Sequence, residues 1–92
     1  MRDITVIPAA KVTGEYKEEA GKWSTWDSKS RPLDLVHYAA SERVLIVEGS
    51  ANLTQRDGKV ITIREGDAAT FHTDFECTWE FTDEMKAHFS VN

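Results

Sequence analysis

Alternation with a two-residue period runs through most of this chain from Trp23 onward, and it is clearest near the C-terminal end. Phe75, Cys77, Trp79 and Phe81 share one face, while Glu76, Thr78, Glu80 and Thr82 share the other. That is the pattern of a strand with one side against a core and one side in water. Met85, Ala87, Phe89 and Val91 repeat it opposite Lys86, His88 and Ser90. Further upstream, Leu33, Leu35, His37 and Ala39 alternate with Asp34, Val36 and Tyr38, which puts His37 on the face with the leucines. Val44 to Val47 is apolar on both faces, as expected of a strand covered on both sides.

Turn chemistry separates these runs. Asn52–Gln55 and Lys59–Arg64 flank Asp57-Gly58, a dipeptide suited to the positive φ angles of a tight hairpin. Gly66-Asp67 marks a second corner, and Ser28 to Pro32 reads as a turn. Ile4–Ile7 predicts a short first strand stopped by Pro8. Gly14 to Gly21 reads as a loop or a single helical turn, and Lys22–Trp26 as a strand or an ordered loop. Many short strands at roughly 8–12-residue spacing, with no long helical period, predict an all-β antiparallel sandwich or barrel.

Composition narrows the classes of partner. Ninety-two residues make one domain, divided here into an N-terminal strand and loop over about 1–21 and a barrel core over 22–92. A formal charge of −5 repels phosphate backbones, which argues against nucleic acid. Val44 to Val47 is the longest apolar run, far short of a helical membrane span. The first residues carry no signal-peptide pattern. The single cysteine, Cys77, forms no internal disulfide, and a reducing cytoplasmic setting is the expectation. An exposed strand edge in so short a chain invites pairing, so a homodimer through edge or N-terminal strands is expected.

Glu42, followed by six residues and Gly49, fits the end of the first cupin motif, G-x5-H-x-H-x3,4-E-x6-G. Gly66 opens the second, G-x5-P-x-G-x2-H-x3-N, with His72, Asp74, Cys77 and Phe81 standing where that motif has proline, glycine, histidine and asparagine. Counting back four residues from Glu42 places His37 at the second histidine and Leu35 at the first; Lys29 stands where the opening glycine would be. With KWSTW (22–26), the Asp-Gly hairpin, FECTW (75–79) and KAHF (86–89), the chain resembles the small single-domain cupins of the (S)-ureidoglycine aminohydrolase cupin family. That resemblance implies a small antiparallel cupin barrel (an RmlC-like jelly roll) of two facing sheets. It does not by itself carry an activity.

A metal-dependent cupin uses three histidines and a glutamate directed into the barrel, and this chain has three histidines in all. His37, Glu42 and Cys77 are the residues at ligand-equivalent positions, a set that would take a divalent ion such as zinc, manganese, iron or nickel. A shorter register, with three residues before Glu42, instead puts Tyr38 at the second ligand position and turns His37 outward. The competing reading is structural: a half-buried histidine, a rim glutamate and a cysteine acting as a small hydrophobe. Tyr38, Trp26 and Trp79 are candidate pocket walls, with Cys77 and His37 beside them in the pocket lining, and against this stands plain core packing. Arg43, able to grip a carboxylate, and His88, beside Lys86, complete the ligand-binding candidates; surface ion pairing and a solvated strand face are their alternatives. His37, Tyr38 and His72 are the candidate proton-transfer groups.

The expected function is therefore binding of a small polar metabolite in the barrel without a full metal set. The alternative is a metal-assisted hydrolase, lyase or isomerase acting on a small nitrogenous or carboxylated metabolite through His37, Glu42 and Cys77. A subunit-like role through dimer formation is the third.

Overall fold

The computed structural model describes residues 3–29 and 34–91. Nine strands are present among them: β1 (Ile4–Ile7), β2 (Ser24–Asp27), β3 (Leu35–His37), β4 (Glu42–Glu48), β5 (Ser50–Gln55), β6 (Val60–Arg64), β7 (Ala68–Phe71), β8 (Glu76–Phe81) and β9 (Lys86–Val91). They form two antiparallel sheets that face each other. One is five-stranded, in the order β1-β7-β4-β9-β2; the other is four-stranded, in the order β3-β8-β5-β6. This is the two-sheet antiparallel barrel that the alternation and turn spacing predict, and it agrees with the jelly roll that the resemblance implies. The turn expected over Ser28 to Pro32 and the start of the strand at Leu33 fall partly or wholly outside the described residues.

The two-residue period decides what goes inside. Val44 and Ile46 of β4, Ala51 and Leu53 of β5, Cys77 and Trp79 of β8, and Ala87 of β9 join Phe71, Phe75 and Met85 in one buried cluster between the sheets. Val36 is cross-strand partner to Cys77, so the inward face of β3 carries Val36 and not its neighbours Leu35 and His37. The leucine-bearing face of the Leu33–Ala39 run is thus the outer one, and Leu35 is 64% exposed.

Two elements depart from the sequence expectation. Residues Gly14–Ala20 form a seven-residue helix, α1, rather than a loop or a single turn. The Thr13 side chain caps it by accepting from the Tyr16 amide at 3.1 Å, and Tyr16 and Ala20, four apart, pack against the sheet. The strand β7 went unannounced because Ala68 and Ala69 have little intrinsic β preference; burial between β1 and β4 makes it a strand.

Helix α1 lies on the outer face of the five-stranded sheet, where Val12, Ala20, Leu45 and Ala68 make a second buried cluster bordered by Tyr16 and Trp23. That covering explains why β4 is apolar on both faces. The outer face of the four-stranded sheet has no such cover among the described residues.

Gly49 links β4 to β5 and carries the chain from one sheet to the other. Its φ is +86°, and a Cβ there would run into the Glu84 carbonyl. Glycine closes the Glu42-to-Gly49 spacing because no side chain fits that crossing.

Candidate functional site

One end of the barrel gathers most of the polar candidates. The strand pairings bring the start of β4, the end of β7, the end of β3 and the start of β8 to that end, with the β5–β6 hairpin beside them. The interior there is filled by aromatic rings. Tyr38 is 6% exposed and stacks flat on Phe71, with centroids 4.4 Å apart and planes 3° apart. Its hydroxyl accepts a hydrogen bond from Trp79 Nε1 at 3.0 Å. Trp26 meets Trp79 edge to face at 5.8 Å. Tyr38, Trp26, Trp79 and Cys77 do come together, as packed core rather than as walls of an open pocket.

Strand parity identifies the residues at the four inward ligand-equivalent places. Glu42 shares its face with Val44 and Ile46, so it is directed inward at the rim, half-buried. Across from it, Cys77 is inward and fully buried. Between Tyr38 and Glu42 lie three residues, the shorter of the two registers, so the inward pair on β3 and its extension is Val36 and Tyr38. This corrects the four-residue count that put His37 inside.

His37 is on the outer surface. Its side chain is 53% exposed, with Nε2 3.6 Å from Asp74 and Nδ1 3.5 Å from Glu76. It cannot join Glu42 and Cys77 around one ion. Burial, followed by the nearby Glu76 charge, pushes the Cys77 thiol up to about 12, so with no cation beside it the thiol keeps its proton at neutral pH. Among the described residues no group of three or more histidine, cysteine, aspartate or glutamate side chains is placed to hold a metal. With His37 outside and only Glu42 and Cys77 inward, the donor set does not fit a divalent ion.

The remaining candidates scatter. Arg43 and His88 belong to the outer face of the five-stranded sheet, since Leu45, between β7 and β9 on that face, pairs with His88. The Arg43 guanidinium sits 4.7 Å from the Trp23 ring centroid, and its Nη2 lies 3.6 Å from Glu19 of α1. Arg43 Nε, Tyr16 Oη and His88 Nδ1 are buried without a hydrogen-bond partner. His72 is at the rim, its Nε2 2.8 Å from the Thr5 hydroxyl, beside a small hollow lined by Asp3, Ser41 and Thr73.

A larger concavity, about 640 Å³, opens at the same end and was not foreseen. His37, Gln55, Arg56, Asp57, Asp74, Phe75 and Glu76 line it. Glu76 is its centre: one carboxylate oxygen is 3.5 Å from His37 and the other 3.6 Å from Arg56 Nε. Asp74 has a left-handed backbone with φ of 71°. It occupies the place where the second cupin motif carries glycine, and the positive φ is the physical reason for that glycine. The sequence did hold two signals for this site: the hairpin delivers Arg56 and Asp57, and a bulky polar residue replaces a turn glycine at Asp74.

A family model described as the EutQ-like cupin domain matches residues 15–89. The chain belongs to this cupin family. Among solved structures, this cupin is similar to a DUF861-family protein from Thermotoga maritima, with 26% identity over 98% of this chain and 100% of that one and a TM-score of 0.83. A second DUF861 protein of unknown function, from Pseudomonas syringae pv. tomato, shares the fold at 19% identity and a TM-score of 0.61; the match covers 74% of this cupin and 29% of that chain. A DUF1255 protein of unknown function from Acidithiobacillus ferrooxidans matches 73% of this cupin and 57% of its own chain, at 12% identity and a TM-score of 0.57. No curated protein matches.

Proposed function

We propose that this cupin binds a small polar metabolite at the barrel rim, with no resident metal, in the concavity centred on Glu76. The observation that carries the reading is the contrast in content between the two places. The interior is packed with Tyr38, Phe71, Phe75, Cys77 and Trp79, whereas the concavity offers about 640 Å³ with groups of both charge signs over a Phe75 floor. That volume lies in the usual range for small-molecule sites, which run from about 300 to 1,000 Å³.

The lining suits a ligand bearing both an amine or ureido nitrogen and a carboxylate. Asp57, Asp74 and Glu76 present acceptors, and Arg56 a planar pair of donors. The resemblance to (S)-ureidoglycine aminohydrolase cupins agrees with a nitrogenous metabolite as the ligand class, while the metal-based chemistry of such enzymes does not carry over to these residues. A free, buried cysteine suits a reducing, cytosolic setting.

The test is a thermal-shift screen with amino acids, ureido and guanidino compounds and small carboxylates, followed by amide chemical-shift mapping of any hit. At least one compound should raise the melting temperature equally with and without chelator. Its perturbations should centre on residues 37, 55–57 and 74–76, and both Glu76→Gln and Arg56→Ala should weaken it. A screen without a hit, a hit abolished by chelator, or perturbations centred on Tyr38 and Trp79 would overturn the proposal. An empty screen would favour the subunit-like role.

A further inference from the structure

The outer faces of the two sheets are unlike. Helix α1 covers that of the five-stranded sheet, and the other carries two of the four large hydrophobic side chains that are exposed among the described residues, Leu35 (64%) and Val60 (56%). These two are not scattered. The register aligns them at opposite ends of one row, Leu35–Thr78–Thr54–Val60, running straight across β3, β8, β5 and β6. A parallel row beside it, at the barrel rim, reads His37–Glu76–Arg56, with Glu76 between the two basic side chains. The next row on the other side contains Glu80, Asn52 and Thr62.

We infer that this face binds a second copy of the chain, in a twofold dimer whose axis runs along the strands between β8 and β5. Such an axis sets β3 against the partner's β6 and β8 against the partner's β5, with each row facing its own copy. Leu35 then meets the partner's Val60, and Thr78 meets the partner's Thr54. Glu76 meets the partner's Arg56 twice over, once on each side of the axis. The face is thus self-complementary in charge and in apolar content, as an isologous contact requires. The sheet twist turns the two sets of strands by about 30° from alignment.

Four strands about 4.8 Å apart and roughly five residues long give a face of roughly 19 by 17 Å. That is roughly 320 Å² on each copy, below the range of stable interfaces, so the contact is a weak, transient one and the dimer is concentration-dependent. Arg56 and Glu76 also border the rim concavity, and the partner copy would close one side of it. The inference does not rest on the ligand proposal: Arg56 and Glu76 serve both, but self-association is read on the chain without any ligand, and Leu35 and Val60 do not line the concavity.

Sedimentation equilibrium over a wide range of protein concentration tests it. The native chain should show a reversible monomer–dimer equilibrium. Leu35→Lys, Arg56→Glu and Glu76→Arg should each weaken it by about tenfold or more while leaving far-UV circular dichroism unchanged. The deciding arm mixes two variants. Arg56→Glu chains and Glu76→Arg chains each oppose like charges in their own dimers, but together they restore both cross-axis pairs, so the mixture should dimerise where neither does alone. A role within one chain cannot produce that rescue. A chain that stays monomeric at millimolar concentration, a dimer indifferent to Leu35→Lys, or a mixture without rescue would overturn the inference; the indifferent dimer would point to the strand edges instead.

Discussion

The interior of this barrel and its rim have exchanged characters. Where the cupin motifs place metal ligands, Val36, Tyr38 and Cys77 supply hydrocarbon, a ring and a protonated thiol, with half-buried Glu42 at the edge. A short distance outside, His37, Asp74, Glu76 and Arg56 gather polar chemistry on the surface. One residue of register separates the two outcomes. In a strand, a single step moves a side chain from core to solvent, so three residues before Glu42 in place of four send Tyr38 in and His37 out. The lesson is that a motif's spacing assigns a face before its residue types assign a chemistry.

Four substitutions or conditions sharpen this contrast, beginning with the framework both regions hang on. Gly49→Ala should cost about 3 kcal/mol or more, enough to leave much of the chain unfolded, because a left-handed backbone and a blocked Cβ coincide there. Urea denaturation reads it, and a cost below about 1 kcal/mol would mean the crossing between sheets is softer than described.

In the interior, Tyr38→Phe keeps the stack on Phe71 but strands the buried Trp79 indole N–H. A loss of about 1–3 kcal/mol is expected. A neutral result would show that the indole finds another partner and that the interior has room to spare.

The Cys77 thiol gives a pH signature. Its folded pKa of about 12 exceeds the ordinary 9.0, so the unfolded chain releases its proton first as pH rises. Stability from this group is complete below pH 9 and falls toward pH 12. At pH 10 the native chain should have lost about 1.4 kcal/mol relative to pH 8, beyond any loss shared by a Cys77→Ala variant. Parallel pH profiles for the two proteins would place the thiol in a wetter site.

At the rim the effects on stability should be small and those on binding large. Asp74→Gly relieves the left-handed backbone and should stabilise by up to about 1 kcal/mol, since the exposed contact with His37 contributes little. The same variant should weaken any ligand of the concavity. Destabilisation by Asp74→Gly would show that the aspartate holds the loop together instead.

Much of the fold was legible because alternation is a strong signal where one face is buried. The strands at Phe75–Phe81 and Met85–Val91, the Asp57-Gly58 hairpin and the doubly apolar β4 all follow from it. Strand β7 was not, because alanines acquire strand geometry from neighbours rather than from themselves. The face of His37 was misread for a related reason. Leu33, Leu35 and His37 make the more hydrophobic-looking row, yet Cys77 opposite Val36 fixes which row is inside, and pairing partners are invisible in a single strand's composition. The rim concavity escaped because it joins residues from the β5–β6 hairpin and the loop before β8, segments whose adjacency only the topology creates.

Cys77 lies on β8 beneath a neighbour of only three residues, the edge strand β3. Edge strands so short are the first to detach in native fluctuations. The lone sulfhydryl therefore serves as a clock: the rate at which a thiol reagent consumes it under native conditions counts how often that lip of the barrel peels back.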